Sequence, residues 1–190
     1  KTLLGAKAAK AEDKISLSEA DRALLLNIAR EAIVAHLEDR RYSPLETEEI
    51  KRKSGVFVTL KVDDELRGCV GLIRGHTPVG EAVAEMAVAA ATEDPRFSPL
   101  TRDELDIVTI EISVLSPLEV VHRFDSIKIG RDGLMIKVDM HSGLLLPQVA
   151  VENNWTNIEF LEQTCLKAGL SKSSYKDKSA EIYKFTAQVF

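Results

Sequence analysis

Residues 56–72, VFVTLKVDDELRGCVGL, alternate apolar and polar side chains on both sides of two adjacent aspartates, Asp63 and Asp64. Alternation with a period of two is typical of a strand with one buried face, and paired aspartates favour a tight turn. The stretch therefore predicts a β-hairpin. Its second strand contains LRGCVG, which places two glycines, residues that weaken strands, around a cysteine that stands two positions after an arginine.

Apolar residues with helical spacing occur before this hairpin and again after it. The predicted helix starts are Ser18, Thr77 and Thr156. Ser18 and Thr156 each stand three positions before an acidic residue, as in a capping box, and Thr77 precedes a proline suited to the first helical position. Gly169 is placed to end the third helix. We expect an N-terminal helix at 18–40 and one helix after each of two hairpins.

The order hairpin, helix, strand occurs twice along the chain. The segment at 55–62, GVFVTLKV, aligns with the segment at 133–140, GLMIKVDM. In the second case a turn at 140–143 leads into another short strand. Strands at 107–115 and 180–190 complete the two units. Hairpins joined through helices, without βαβ units, predict an α+β fold. We expect antiparallel sheet with helices packed on one face and an internal duplication of the hairpin-helix-strand unit.

Length and composition define the domain organisation. The chain has 190 residues, of which 45% are hydrophobic, enough for one core or two small lobes. An Ala- and Lys-rich stretch at 1–15 is predicted to be a leader or a flexible N-terminal segment. One domain is expected over 16–190, with lobes at 55–116 and 127–190.

Charge and motif content exclude several classes of protein. The net charge is −5 and the pI about 5.5, and the one basic cluster is 51–53, which argues against a nucleic-acid partner. No apolar run reaches the roughly 20 residues that a membrane span needs. Zinc-binding spacings, nucleotide-binding loops and hydrolase motifs do not occur. We expect a reduced cytoplasmic protein without a metal or cofactor.

The exposure of Cys69 depends on the register of the first hairpin. A two-residue loop at Asp63 and Asp64 would pair Val58 with Cys69 and bury the thiol. A three-residue loop that includes Glu65 would pair Val58 with Val70 and expose it. The better matching of aliphatic residues favours the second register.

In the second register the sheet has a polar face opposite its apolar one. The residues predicted on it are Thr59, Lys61, Arg67, Cys69 and Glu111. A guanidinium beside a thiol favours the nucleophilic thiolate, and Gly68 and Gly71 would let backbone or ligand approach closely. The alternative is that Cys69 packs as a small apolar residue, as unpaired cysteines often do.

Three motifs give the chain a family resemblance. LRGCVG, EDPRF at 93–97 and LLLPQVAVE at 144–152 resemble the AMMECR family, whose hallmark is an LRGCIG motif, with Val70 in place of the isoleucine. The family takes its name from a chromosomal region linked to Alport syndrome, midface hypoplasia and elliptocytosis. The resemblance covers about Leu17 to Phe190. The positions that match the motifs are Arg67, Gly68, Cys69, Gly71, Asp94, Pro95, Arg96, Phe97, Leu146, Pro147 and Gln148.

The resemblance implies a compact α+β domain but no particular reaction. In prokaryotes the family is associated with Memo-type proteins and with a radical S-adenosylmethionine enzyme, which are therefore the expected partners. The first hypothesis is a binding or accessory component of a modification system, with a small molecule or peptide held in a cleft around Arg67 and Cys69. The candidate contact residues are Gly68, Gly71, Asp94, Arg96, Phe97, Glu111 and Gln148.

Two other functions compete with this hypothesis. Cys69 is a candidate nucleophile with Arg67 as the group that stabilises a thiolate or anion, although no histidine stands where it is an evident base. A nucleic-acid module that stacks bases on Phe57 is the least supported, because the charge is acidic and that face has one aromatic residue.

Overall fold

The computed structural model describes residues 16–190; the segment predicted as a leader lies outside the described residues. The helices are α1 (Glu19–Leu37), α2 (Val79–Thr92), α3 (Pro147–Glu152) and α4 (Asn157–Lys167). The strands are β1 (Val56–Val62), β2 (Glu65–Leu72), β3 (Thr109–Leu115), β4 (Glu119–Val120), β5 (Gly133–Val138), β6 (His141–Leu145), β7 (Glu181–Phe185) and β8 (Ala187–Val189). Short 3₁₀ turns occupy Arg102–Asp106, Phe124–Ser126 and Ser174–Lys176.

The strands form two antiparallel sheets, which confirms the predicted α+β class. The first has the order β2-β1-β3-β8 and the second the order β4-β7-β5-β6. In the first sheet Val56, Val58 and Leu60 are fully buried in one core with apolar residues of α1 and α2. In the second, Leu134 and Ile136 are buried with residues of α4. Each sheet therefore has its own helical layer and its own core.

The two units also exchange strands. After hairpin β1-β2, helix α2 and strand β3, the chain forms β4, which pairs with β7 in the second sheet. After hairpin β5-β6, helix α4 and strand β7, it forms β8, which pairs with β3 in the first sheet. The predicted duplication is thus visible in the strand orders, and residues 187–189 of the second predicted lobe complete the first sheet.

Three local predictions about helix ends are confirmed. Ser18 and Asp21 form a reciprocal capping box at the start of α1, and Thr156 and Glu159 form another at the start of α4. Gly169 follows α4 with φ +72°, a conformation that favours glycine.

The predicted cap of α2 is wrong. The helix begins at Val79 with Pro78 as its N-cap residue, and the Thr77 hydroxyl is buried with no hydrogen-bond partner among residues 16–190. The N–H groups of Val79 and Gly80 instead donate to backbone carbonyls at positions 52 and 50, at 2.9 and 3.1 Å. Main-chain carbonyls from the segment before β1 therefore do what a side-chain cap would have done.

Two strand predictions also differ in detail. The second hairpin turns at Asp139 and Met140, with Asp139 at φ +52°, so β6 begins at His141 within the stretch predicted as turn. The strand predicted at 180–190 is divided at Thr186 into β7 and β8, because its two parts pair in different sheets.

Candidate functional site

The first hairpin has the register favoured by the sequence, but its loop is shorter than the three-residue loop predicted with that register. Val58 pairs with Val70 and Thr59 with Cys69. The turn contains only Asp63 and Asp64, both at positive φ, as in a two-residue hairpin loop. The register is shifted by a β-bulge, because Leu60 pairs with Gly68 while Lys61 pairs with Leu66. The extra residue was therefore expected in the loop and lies instead at Arg67.

The bulge turns Arg67 toward the connection between α2 and β3. Its Nε and Nη2 donate to the two carboxylate oxygens of Glu104 at 2.7 and 3.1 Å. Its Nη1 donates to the carbonyl of Ser98 at 2.9 Å, and Nη2 also reaches the carbonyl of Pro99 at 3.4 Å. The Arg67 side chain is 15% exposed. All these partners lie between positions 98 and 104, so the guanidinium anchors this connection to the edge strand.

The Arg67 contact also affects the acidity of its partner. Together with the capping bonds from Thr101, the Arg67 hydrogen bonds lower the pKa of Glu104 from 4.5 to about 2. A carboxylate that accepts charge-assisted bonds is stabilised in its ionised form. Glu104 is therefore ionised at neutral pH and serves both as the cap of the 3₁₀ turn and as the anion of this pair.

Cys69 is held mainly by its main chain. Its N–H donates to Asp94 Oδ2 at 2.8 Å, and its carbonyl accepts a bond from Arg96 Nη2 at 3.4 Å. The Thr59 hydroxyl, on the neighbouring strand, donates to Cys69 Sγ at 3.3 Å. Cys69 forms no disulfide, and its residue is intermediate in exposure. The cation in contact with Cys69 is thus Arg96, which sequence reasoning had placed among the binding residues.

Asp94 is the centre of the contacts that fix Cys69. Its buried carboxylate accepts bonds from the Arg96 N–H, from Arg96 Nε at 2.9 Å and from Arg96 Nη2 at 2.7 Å, besides the bond from Cys69. These bonds, those from the Arg96 side chain first, hold the pKa of Asp94 well below its usual range. Because β2 is an edge strand, the bond from Cys69 N–H also satisfies a main-chain group that would otherwise be free to pair with another chain.

Arg96 lies at the surface end of this arrangement. Its guanidinium stacks over the Phe97 ring, 5.4 Å from the ring centroid. The pKa of Arg96 is raised mainly by the bond to Asp94, and the nearby Cys69 adds to the effect. EDPRF thus forms a turn after α2 that places an ion pair and an aromatic ring beside the cysteine.

The two glycines of LRGCVG are explained by contacts within the protein. A Cβ on Gly68 would overlap the carbonyl oxygen of Ala90, because α2 crosses β2 at this point. A Cβ on Gly71 would overlap the ring of Phe57, which lies opposite it on β1. The predicted close approach is therefore that of the protein's own helix and ring, and Phe57 is occupied in covering Gly71.

The polar face of the first sheet continues from Cys69 across β1 to β3. Glu111 lies opposite Thr59 in the register, and its carboxylate accepts a bond from Lys61 Nζ at 2.9 Å. This bond is the main reason that the pKa of Lys61 is raised, and the charge of Glu152 on α3 contributes as well. We call Thr59, Lys61, Cys69 and Glu111 the polar face from here on. Arg67, predicted with them, contacts the 98–104 connection instead.

Helix α3 packs on β5 of the second sheet and carries one residue, Glu152, whose charge acts on Lys61. Gln148 and Glu152 are four residues apart, so they share one side of α3, and Glu152 acts electrostatically on Lys61. The Oε1 atom of Gln148 is buried, and no group in the described part of the chain donates a hydrogen bond to it. Gln148 therefore supplies a buried acceptor without a partner among the described residues, on the same side of α3 as Glu152. Sequence reasoning selected Gln148 only through the family motif.

Residues 16–190 contain neither a metal-binding cluster nor a membrane-spanning helix. This part of the chain contains no group of three or more His, Cys, Asp or Glu side chains placed to hold a metal ion. Within the same residues, none of the helices combines the length and the apolar character needed to cross a membrane. Two pockets, of about 220 and 470 Å³, are lined by residues other than those of the polar face.

Fold and site together define a class: a two-sheet α+β domain in which an edge-strand cysteine is fixed by an Asp-Arg pair. The chain belongs to the AMMECR1 family, whose model matches residues 26–190. This confirms the resemblance drawn from the three motifs.

Related proteins and a solved structure agree with this assignment. The chain is 46% identical to a protein of Methanopyrus kandleri, over 94% of this chain and 90% of that one. It is 45% identical to a protein of Thermofilum pendens, over 92% of this chain and 91% of that one. The crystal structure of an uncharacterized protein from Pyrococcus horikoshii matches with a TM-score of 0.83 and 40% identity, over 87% of this chain and 88% of that one.

Proposed function

We propose that this protein is a binding component of a modification system and that the polar face with Cys69 is its contact site. The observation that carries the proposal is the way Cys69 is held. Asp94 and Arg96 fix its main chain, its residue is intermediate in exposure, and its thiol accepts a bond from the buried Thr59 hydroxyl. A rigid, partly open polar surface suits the recognition of a small molecule or of an extended peptide segment.

The partners proposed are a Memo-type protein and a radical S-adenosylmethionine enzyme. The support is the family's association with these proteins, together with the two charged groups of the polar face. Lys61 is a cationic hydrogen-bond donor and Glu111 an anionic acceptor. Lys61 and Glu111 are each about one-third exposed, so both can exchange their mutual bond for bonds to a partner at little cost.

Co-purification from native cells tests this proposal. The parent chain should retain both partners, and Lys61→Ala and Cys69→Ser should each reduce the retained amount several-fold. Lys137→Ala is the matched control, because Lys137 is an exposed lysine on β5, the counterpart of β1 in the second unit. Retention of neither partner by the parent chain would refute the association, and equal retention by all variants would refute the contact site.

A second function, nucleophilic catalysis by Cys69, is favoured by one observation. The thiol accepts a bond from the Thr59 hydroxyl, and the Arg96 guanidinium donates to the carbonyl of the same residue, so a hydroxyl donor and a cation both lie close to Cys69. Against it, no histidine or carboxylate side chain among the described residues bonds to the thiol, so a general base is missing. Iodoacetamide labelling across pH distinguishes the two functions, with buried Cys165 as the internal control. Labelling that becomes fast only above about pH 8.5, as for an ordinary thiol, would contradict catalysis.

A further inference from the structure

A second candidate site lies in the other sheet, away from the polar face. A pocket of about 470 Å³ opens where β4 and β7 pair. Small-ligand sites usually measure about 300 to 1,000 Å³, so this pocket is large enough for one ring system. The groove between α1 and α2, at about 220 Å³, is below that range.

The walls of the pocket are aromatic. Phe124 and Tyr175 form an edge-to-face pair with centroids 5.4 Å apart, and Tyr175 is buried. Tyr183 lies opposite Val120 in the β4-β7 register, and both line the pocket. The chain has nine Phe and Tyr residues, so three in one pocket is a concentration of them. Rigid aromatic walls of this kind favour a flat ring as ligand.

Glu181 and His122 are polar side chains that line the pocket with the tyrosines, and Glu181 offers hydrogen-bond acceptors only. The Tyr183 hydroxyl donates to Glu181 Oε2 at 2.7 Å, which is the main reason that the pKa of Tyr183 is raised. Over residues 16–190 the other oxygen, Oε1, accepts no hydrogen bond. An ionised carboxylate only accepts hydrogen bonds, so a ligand here must bring N–H or O–H donors.

Charges near the pocket disfavour a cationic ligand. Lys176 Nζ already lies 5.3 Å from the centroid of the Tyr175 ring. Arg74 is close enough to Tyr183 for its charge to act on the tyrosine pKa. Lys137 lies opposite Glu181 in the β5-β7 register, so three basic residues lie near the carboxylate of the pocket and a further cation is not favoured. We propose that the pocket binds a neutral, planar nitrogen heterocycle that stacks on its aromatic walls and donates N–H bonds to Glu181, with a guanine-type ring as the simplest member.

Binding of guanosine to the full chain, measured by calorimetry, tests the proposal, with adenosine as the comparison. Guanine presents two adjacent N–H donors to a carboxylate, whereas adenine presents one amino group beside an acceptor. Guanosine should bind more tightly than adenosine. Glu181→Gln should weaken guanosine binding by about 10- to 100-fold, the effect of a hydrogen bond to a charged group.

Two matched variants locate the site. Val120→Trp should abolish binding by filling the mouth of the pocket, since Val120 is 53% exposed. Val189→Trp should have no effect, because it places the same side chain on β8, the corresponding exchanged strand of the first sheet. The absence of saturable guanosine binding at millimolar concentration, equal binding of adenosine, or equal losses in the two variants would each overturn the proposal.

Discussion

Arg67→Ala tests whether the bulge arginine stabilises the fold. The pKa of Glu104 is about 2 instead of 4.5, and Arg67 is the largest cause. At 1.36 kcal/mol for each factor of ten in acidity, this difference corresponds to about 3.4 kcal/mol. Thr101 supplies part of it, and both side chains of the pair are partly solvated. We therefore expect Arg67→Ala to cost about 2 kcal/mol in the free energy of unfolding.

The assay is thermal unfolding of the purified chain, with a matched arginine variant. For a chain of this length, a loss of about 2 kcal/mol lowers Tm by roughly 4 to 8 °C. The control is Arg102→Ala, in the same 3₁₀ turn as Glu104, because Arg102 pairs with Glu38 but is 72% exposed. Exposed pairs contribute little, so this variant should stay within about 0.5 kcal/mol of the parent. Equal Tm values for the two variants would refute the anchoring role of Arg67.

The same pair predicts a pH dependence. The pKa of Glu104 is lower in the folded chain than in the unfolded one, so its contribution is present above about pH 4.5 and lost as the pH falls toward 2. Arg67→Ala removes the main cause of the depressed pKa. The stability difference between parent and variant should therefore shrink across this window. A difference that stays constant down to pH 2 would show that the charge of Glu104 is not what Arg67 stabilises.

Three further predictions concern the residues around the cysteine. Gly68→Ala should lower the free energy of unfolding by about 1 to 3 kcal/mol, because it forces β2 away from α2. The control is Gly80→Ala, whose Cβ would be 3.3 Å from a flexible isoleucine methyl group. In denaturant unfolding this variant should be as stable as the parent or more stable. Asp94→Asn should cost about 2 to 3 kcal/mol at pH 7. The pKa of Asp94 is lower in the folded chain than in the unfolded one, so this deficit should narrow as the pH falls below 3.8, the usual aspartate value. A pH-independent deficit would contradict the charge argument. Cys69→Ser should keep Tm within a few degrees of the parent, because the neighbouring threonine hydroxyl can bond the new hydroxyl; a drop of about 8 °C or more would mean that the thiol is packed as an apolar group.

Local patterns in the sequence predicted most of the fold. The period of two in β1 and β2 predicted that Thr59 and Cys69 share one face of the sheet. The capping box at Thr156 predicted the start of α4. Patterns of this kind depend on neighbouring residues, so they can be read without knowledge of the tertiary structure. The cap of α2 could not be found in this way, because its partners are carbonyls 27 and 30 positions earlier in the chain.

The candidate site was predicted in part, for the same reason. The register that pairs Val58 with Val70 was predicted correctly, and Cys69 is intermediate in exposure in it, but Arg67 was expected beside the cysteine. A one-residue bulge changes which side chains share a face, and alternation alone does not show where a bulge falls. Asp94 and Arg96 were named only through the family motif, since nothing local to EDPRF indicates that it meets β2.

The exchange of β4 and β8 has a consequence for the chain as it leaves the ribosome. Strand β4, at one edge of the second sheet, is synthesised before the other strands of that sheet. Strand β8, at one edge of the first sheet, is synthesised after all the other strands of the described residues. Until residues 187–189 emerge, Ser113, Val114 and Leu115 of β3 present an unpaired edge. Neither sheet can then be finished early in translation, so both should acquire resistance to proteolysis together and late.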